Sequence, residues 1–235
     1  MNMSAMVNEI LYEDNHLLII NKKPSQIIQG DKTGDKPLSE QLKDFIKERD
    51  HKPGNVFLGV VHRIDRPVSG IVIFAKTGKA LTRLNNMLKK GEIHKTYWVV
   101  VKNKPYPEKG CLINFLRRDE QKNKAFAYDH PVANTQKAEL TYELIGQSDQ
   151  YFLLQVQLIT GRHHQIRAQL AKIGCPVKGD LKYGFDRSNP DGSIHLHARS
   201  VEFIHPVKQE MIKVIANPPS ETLWNFFLAQ IQLLN

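Results

Sequence analysis

Val61-His62-Arg63-Ile64-Asp65-Arg66-Pro67-Val68-Ser69-Gly70 runs directly into Ile71-Val72-Ile73-Phe74-Ala75-Lys76. A carboxylate lies between two arginines, at the end of one apolar run and just before another. Pro67 and Gly70 mark a turn between the runs, because both residues punctuate regular structure. Two flanking strands would hold Asp65 on a rigid frame, which suits a catalytic group better than a mobile loop. Arg63 and Arg66 would keep the carboxylate ionised, since a nearby positive charge favours the charged form. The same residues also read as an ordinary turn, with Asp65 in a surface ion pair to one of its arginines.

Upstream, Ile10 to Glu13 and Leu17 to Asn21 read as short strands joined by the turn residues Asp14-Asn15, a hairpin. An irregular stretch follows from Lys22 to Asp31. Ser39 is placed to cap a helix over Glu40 to Arg49, with Leu42, Phe45 and Ile46 on one face. Pro53-Gly54 ends it.

Downstream, the spacing of Leu81, Leu84 and Leu88 predicts a helix from Lys79 to Lys90, stopped by Gly91. Its stripe reads as core. Lys95 to Val101 is rich in aromatic and β-branched residues and reads as a strand. On residue type alone, Tyr97 within it is a core or edge tyrosine. Residues 102 to 128 are the most basic stretch, with Phe115, Phe126 and Tyr128 interleaved among lysines and arginines. Such runs are commonly solvated surface, but the mixture also suits a phosphate backbone with unstacked bases.

Lys137 to Leu144 and Tyr151 to Ile159 read as strands around a polar turn. They feed Thr160-Gly161-Arg162-His163-His164-Gln165-Ile166-Arg167-Ala168-Gln169-Leu170. Ile166, Leu170 and Ile173 share a helical face, and Gly174 fits the position past its end. A helix beginning after a glycine offers N–H groups to an anion. Spacing alone leaves Arg167 equally a surface arginine. Leu196 to Pro206 reads as a strand, and residues 221 to 234 as a helix carrying Leu223, Phe226, Phe227, Ile231 and Leu234.

The chain has 235 residues, and 41% hydrophobic content is ample for a packed core. Lysine and arginine number 33 against 24 acidic residues, a net charge of +9. That balance suggests a polyanionic partner, although a basic protein without one has the same composition. Cys111 and Cys175 form no Cys-x-x-Cys pair, so no zinc or redox motif is indicated. Reduced thiols in a cytoplasmic protein are the simplest reading. The first residues lack the basic and apolar pattern of a signal peptide. No apolar run approaches the ~20 residues of a membrane span. There are no internal repeats or low-complexity linkers.

Three motifs and one late segment carry a family resemblance. His62-Arg63-Ile64-Asp65-Arg66-Pro67-Val68-Ser69-Gly70 resembles the signature of the RluA family of RNA pseudouridine synthases, His-Arg-Leu-Asp-Arg-x-Thr-Ser-Gly. Ile64 for leucine is a mild departure, and Val68 for threonine removes a hydroxyl. Lys95-Thr96-Tyr97 resembles the family's second motif. Gly161-Arg162-His163-His164-Gln165-Ile166-Arg167, followed by Gly174-Cys175-Pro176-Val177-Lys178-Gly179-Asp180, resembles the third, with His163 replacing the usual threonine or serine. Leu196-His197-Ala198 is similar to a late family segment. Three motifs in the right order are far more specific than any one.

The resemblance implies an α+β fold, a mixed and largely antiparallel sheet with flanking helices. It implies a single catalytic domain over residues 1–235, without the small N-terminal RNA-binding domain of several relatives. It makes Asp65 the nucleophile, Tyr97 the active-site tyrosine stacking on the flipped base, and Arg167 the partner of the aspartate. Arg63, Arg66, Arg162, His164 and Leu196 are the expected substrate-binding residues. Arg63 is a candidate to fill the space left by the flipped base, and Leu196 an apolar wall of the pocket. The implied partner is ribosomal or transfer RNA, and the implied state a monomer. The reaction moves the uracil from N1 to C5 on the same ribose and uses no oxidant or group donor, so neither cofactor nor metal is required.

Two other readings compete. His62, His163-His164 and His195-x-His197 could mark a metal-dependent nuclease or hydrolase, although adjacent histidines on a helix point different ways and no His-Glu-x-x-His pattern is present. A non-catalytic RNA-binding relative is the other, and the presence of all three expected functional residues argues against it.

Overall fold

The structure, a computed structural model, describes residues 6–30 and 34–233. Asp31, at the end of the irregular stretch, Leu234 of the C-terminal helix and the first five residues, read above for a signal peptide, lie outside the described residues. The chain forms two compact units, Met1–Ile93 with Ala198–Asn217, and His94–His197 with Pro218–Asn235. Each is a largely antiparallel sheet with helices on it, so the α+β expectation holds. Among the described residues no helix is long and apolar enough to cross a membrane.

In the first unit, β1 (Ile10–Glu13) and β2 (Leu17–Lys22) form the expected hairpin. Asp14 closes its turn, its Oδ1 accepting from the N–H groups of His16 at 2.7 Å and Leu17 at 2.8 Å. β3 is only Gly59–Val60, whereas β4 (Ser69–Ala75) is buried along its whole length. A continuous apolar run of this kind belongs to a strand covered on both faces. The strand order is β1–β2–β4–β10, with β10 at Leu196–Ile204, β3 also paired to β4, and β11 (Met211–Ile215) paired to β10.

Helix α1 (Leu38–Arg49) lays Leu38, Leu42, Phe45 and Ile46 on Leu18, Ile20, Val72 and Phe74, one face of β2 and β4. Each such buried side chain contributes about 1.5–3 kcal/mol. The helix starts earlier than its sequence suggested. Pro37 is the N-cap, no side chain caps the end, and Ser39 is buried in the first turn. Proline's fixed φ suits that flanking position, and a buried serine is not available as a cap. Helix α2 (Gly78–Lys90) is capped by Thr77, which accepts from the Ala80 N–H at 3.2 Å, and ends as expected at Gly91, in the left-handed region.

Gly70 corrects a second expectation. It lies inside β4 rather than in the turn, with φ of +110°. A Cβ there would meet the Ala198 backbone oxygen at 2.4 Å. Only glycine allows both that backbone conformation and that approach.

The second unit is a sheet ordered β5–β9–β8–β6–β7. The strands are β5 (His94–Val101), β6 (Lys109–Asp119), β7 (Lys124–Tyr128), β8 (Gln136–Gln147) and β9 (Phe152–Leu158). The basic stretch 102–128 thus contains a long strand and an edge hairpin. Helix α4 (Thr222–Leu233) packs Trp224 and Phe227 on Trp98, Val100 and Leu153, one face of the sheet. Glu221 fastens its start, accepting from the Trp224 N–H at 3.0 Å and lying 2.8 Å from Nε2 of His195. Helix α3 (Gln165–Lys172) lies on the other face, where Ala168 joins Leu116, Ala125, Ala138 and Tyr183.

Helix α3 does not begin directly after Gly161. Its N-cap is His164, in the left-handed region at φ of +51°. The intervening residues are held by Gln165, whose Oε1 accepts from the Arg162 N–H at 2.9 Å and the Thr160 hydroxyl at 2.8 Å. Ile166 and Leu170 are buried as expected, but Ile173 is exposed at the helix end.

Candidate active site

In the first unit, Asp65 sits half-buried on the loop between β3 and β4. Its carbonyl accepts from the Val68 N–H at 3.0 Å, making a tight turn across Pro67. Behind it, Nε2 of His62 accepts from the Ile73 N–H at 3.2 Å. In front, the Arg66 carbonyl accepts from the Ser25 N–H at 2.8 Å. The frame thus comes from short hydrogen bonds to β4 and to the loop after β2, rather than from two long strands.

The two arginines around Asp65 reach outward. Exposed Arg66 pairs with Asp35 at 2.7 Å, and exposed Arg63 donates to Oε1 of Gln29 at 3.4 Å. The buried cation nearby is Lys22, at the end of β2 and inaccessible to solvent. Its Nζ donates to the carbonyls of Lys23 and Gln26, each at 2.9 Å, and of Arg66 at 3.2 Å. Burial pushes its pKa down to about 7, while the negative charge of Asp65 pulls it back up. Lys22 was passed over in the sequence because a lysine in a polar stretch reads as surface. The one available signal was its place directly after four apolar residues, Leu17 to Ile20, and Asn21.

In the second unit, the strand registers place Tyr97 opposite Val156, and Val156 opposite Tyr142. Directly opposed residues point to one face. That face continues through Leu140 and Ala138 to Asn114, where Gln169 of α3 donates to Asn114 Oδ1 at 2.9 Å. Buried Tyr97 and the helix of Arg167 therefore share one face of this sheet.

Arg167 is buried, with its guanidinium clamped by Asp180: Nε donates to Oδ2 at 2.7 Å and Nη2 to Oδ1 at 2.9 Å. A two-pronged pair fixes the plane of the group as well as its position. The Tyr183 ring lies 5.0 Å from that guanidinium. The Tyr183 hydroxyl accepts from the Ala125 N–H at 2.8 Å and lies 3.0 Å from Nδ1 of His164. Burial first, and then the charge of Arg167, hold the His164 pKa far below its ordinary value. The Tyr183 hydroxyl thus bridges the Ala125 N–H and the imidazole.

The structure thus gathers Arg162, His164 and Arg167 around the start of α3, with Asp180 and Tyr183 added. Exposed Arg162 spends its Nε on the Lys137 carbonyl at 3.0 Å. Leu196 is buried at the start of β10. Asp180 stood in the quoted motif without a role. A buried carboxylate thirteen residues after a buried arginine could not be paired with it from the sequence. The histidines behind the metal reading are placed otherwise: His163 stacks on His164 at 3.8 Å, and His195 stacks on Trp224 at 5.2 Å. Among the described residues no group of three or more histidine, cysteine or acidic side chains is arranged to hold a metal ion.

Residues 16–172, which contain Asp65, Tyr97 and Arg167, match the RNA pseudouridylate synthase family. The chain belongs to that family. RNA pseudouridylate synthases are isomerases, and the three-motif resemblance is borne out at this level. The RNA pseudouridine synthase YhcT of Bacillus subtilis is 30% identical over 220 residues, covering 91% of this chain and 69% of the relative. Ribosomal large subunit pseudouridine synthase C of Buchnera aphidicola is 31% identical over 219 residues, covering 89% and 66%. The enzyme of the same name from Vibrio cholerae is 29% identical, covering 88% and 64%. The chain therefore spans about two-thirds of the length of these curated relatives. The fold is that of human RNA pseudouridylate synthase domain containing 4, with a TM-score of 0.79 at 21% identity over 98% of this chain and 95% of that one. Human domain containing 1 gives 0.70 at 18% identity, over 95% and 94%.

Proposed function

We propose that this chain converts selected uridines of ribosomal or transfer RNA to pseudouridine, with Asp65 as nucleophile. The observation that carries the reading is the aspartate motif itself. Asp65 is held in a tight turn whose next carbonyl is pinned by the Ser25 N–H and the Lys22 ammonium. A carboxylate on so constrained a loop supports nucleophilic work better than a solvated turn does.

In the proposed reaction the N1–C1′ bond of uridine breaks, the uracil turns, and C5 bonds to C1′. The C5 hydrogen leaves as a proton and N1 gains one, so nothing is oxidised and no group is donated. The target base must leave the stack to be reached. Arg63, exposed on the same loop, has the planar guanidinium that can stack in its place. Tyr97 is assigned to stack on the flipped base. Arg167, already aimed by Asp180, is assigned as counter-charge to the nucleophile. Arg66, Arg162 and His164 are assigned to RNA contacts, and Leu196 to the apolar wall. A monomeric, cytoplasmic enzyme working as one catalytic domain goes with this reading, as the family resemblance implies.

The test is to incubate the protein separately with unmodified ribosomal and transfer RNA and to map carbodiimide adducts by primer extension. New, discrete stops in one RNA support the reading and name its substrate. A wild-type protein that binds both RNAs and produces no stop contradicts it.

A further inference from the structure

The hairpin of β6 and β7 has two faces of opposite character. Ala125 and Leu116 point toward α3, together with Ala127, and are covered by Ala168 and Tyr183. The alternate residues point the other way. Phe115 stands opposite Tyr128, and Arg117 opposite Phe126. All three rings are half-exposed on this second face, and Ile113 beside them is 49% exposed.

Cations lie over these rings. The Arg117 guanidinium is 5.3 Å from the Tyr128 ring and donates to its hydroxyl at 2.7 Å. The ammonium group of Lys122 lies 6.0 Å from the Phe126 ring, and that of Lys124, at the hairpin edge, lies 5.7 Å from Phe126 and 4.9 Å from Tyr183. Of the acidic groups nearby, Glu139 pairs with Lys137 at 2.8 Å, Asp129 with Lys172 at 2.9 Å and Glu143, in the cleft beyond, with Lys109 at 3.2 Å, while Asp119 accepts from the Lys122 N–H at 2.9 Å. Further along the same face, Thr141, Gln155 and Gln157 line an open cleft of about 390 Å³.

We infer that this face, opposite the one that carries Tyr97 and α3, is a platform for unpaired RNA, on which bases away from the target stack on Phe126 and Tyr128 while Arg117 and Lys122, with Lys124 at the hairpin edge, contact phosphates. The inference rests on the RNA-modifying reading and names the form of RNA that is held. Aromatic rings accept any base by stacking, and the interleaved cations complement the backbone charge. A fully paired helix hides its base faces and could use only the cations. The amide side chains of the cleft offer donors and acceptors for base edges beyond the rings. The opposite side of the same hairpin touches the candidate site, where the Ala125 N–H bonds to Tyr183 beneath Arg167.

The experiment uses full-length wild type, Phe126→Leu and Tyr128→Leu, which keep apolar bulk but lose a ring, together with Arg117→Gln. Thermal unfolding of each confirms the fold. Fluorescence anisotropy then measures affinity for a labelled 12-nucleotide unstructured RNA and for a duplex of the same length. Each lost ring is expected to weaken single-strand binding about tenfold and duplex binding less than twofold. Arg117→Gln is expected to lower the salt slope for both. Folded leucine variants that bind the single strand within twofold of wild type would overturn the inference, as would equal losses for single strand and duplex, or no single-strand binding by wild type. Tritium release from uridine-labelled RNA, run alongside, separates the two levels. Wild-type release with unchanged variant binding defeats the platform alone, whereas absence of release defeats the enzymatic reading.

Discussion

Replacing Lys22 with methionine keeps the length of the side chain and removes its charge. In the folded protein burial holds the Lys22 pKa at about 7 against an ordinary 10.5. Between those values the unfolded chain carries a proton that the folded chain lacks. Stability therefore rises with pH across this window and is flat below it with respect to this group. At about 1.4 kcal/mol per pKa unit, the full displacement costs about 5 kcal/mol at acidic pH. From pH 7, where the folded group is half-titrated, to pH 9, the recovery is about 2 kcal/mol. Urea denaturation followed by far-ultraviolet circular dichroism at pH 7, 8 and 9 measures it. Wild type should gain about 2 kcal/mol more than Lys22→Met over this range. Other groups titrating there are common to both proteins and cancel. Parallel curves for the two proteins would refute the argument, because they would mean that Lys22 keeps an ordinary pKa and is not held dry against three carbonyls. Asp65→Asn should shift the wild-type window to lower pH, since the Asp65 charge is what pulls Lys22 upward.

Asp180→Asn leaves the buried Arg167 charge without its counter-charge, and urea denaturation should show a loss of about 3–5 kcal/mol. A loss below about 1 kcal/mol would mean the pair is not buried in solution. Tyr183→Phe removes the hydroxyl between the Ala125 N–H and His164 Nδ1, and leaving buried polar groups unpaired should cost about 1–3 kcal/mol in the same assay. Gly70→Ala drives a Cβ into the Ala198 backbone at a φ that side chains avoid, so a loss of about 3 kcal/mol or more in thermal unfolding is expected, and an unchanged Tm would contradict the close approach.

Much of the fold could be read from local pattern. The run from Ile71 to Ala75 is apolar without alternation because β4 is covered on both faces. The stripe of α1 falls where its spacing put it, whereas in α2 only Leu84 of the expected stripe is buried, with Leu81 and Leu88 half-buried. What local pattern could not give was conformation set by a distant neighbour. Gly70 resembles a turn glycine until Ala198 is seen against it, 128 positions later in the chain. Ser39 is a sound cap by residue type, but packing starts the helix two residues earlier and buries it. His164 takes a left-handed conformation that nothing in its neighbours demands.

The candidate site divides in the same way. Asp65, Tyr97 and Arg167 came from motifs whose spacing survives in sequence. Lys22 and Asp180 did not, because a buried charge is recognised by what satisfies it. For Lys22 these are backbone carbonyls, which leave no trace in residue identity. For Asp180 it is an arginine on another element, and only the fold brings the two within 2.7 Å.

The most direct test of the central claim is tritium release from RNA labelled at C5 of uridine, because loss of that hydrogen reports the new carbon–carbon bond. Mixed ribosomal and transfer RNA would be offered to wild type and to Asp65→Asn, each first shown to be folded and to bind the RNA. The account predicts release by wild type, none above background with Asp65→Asn, and similar RNA affinity for both. Equal release by the two proteins would remove Asp65 from the chemistry. No release by either, despite tight RNA binding, would contradict the enzymatic account itself.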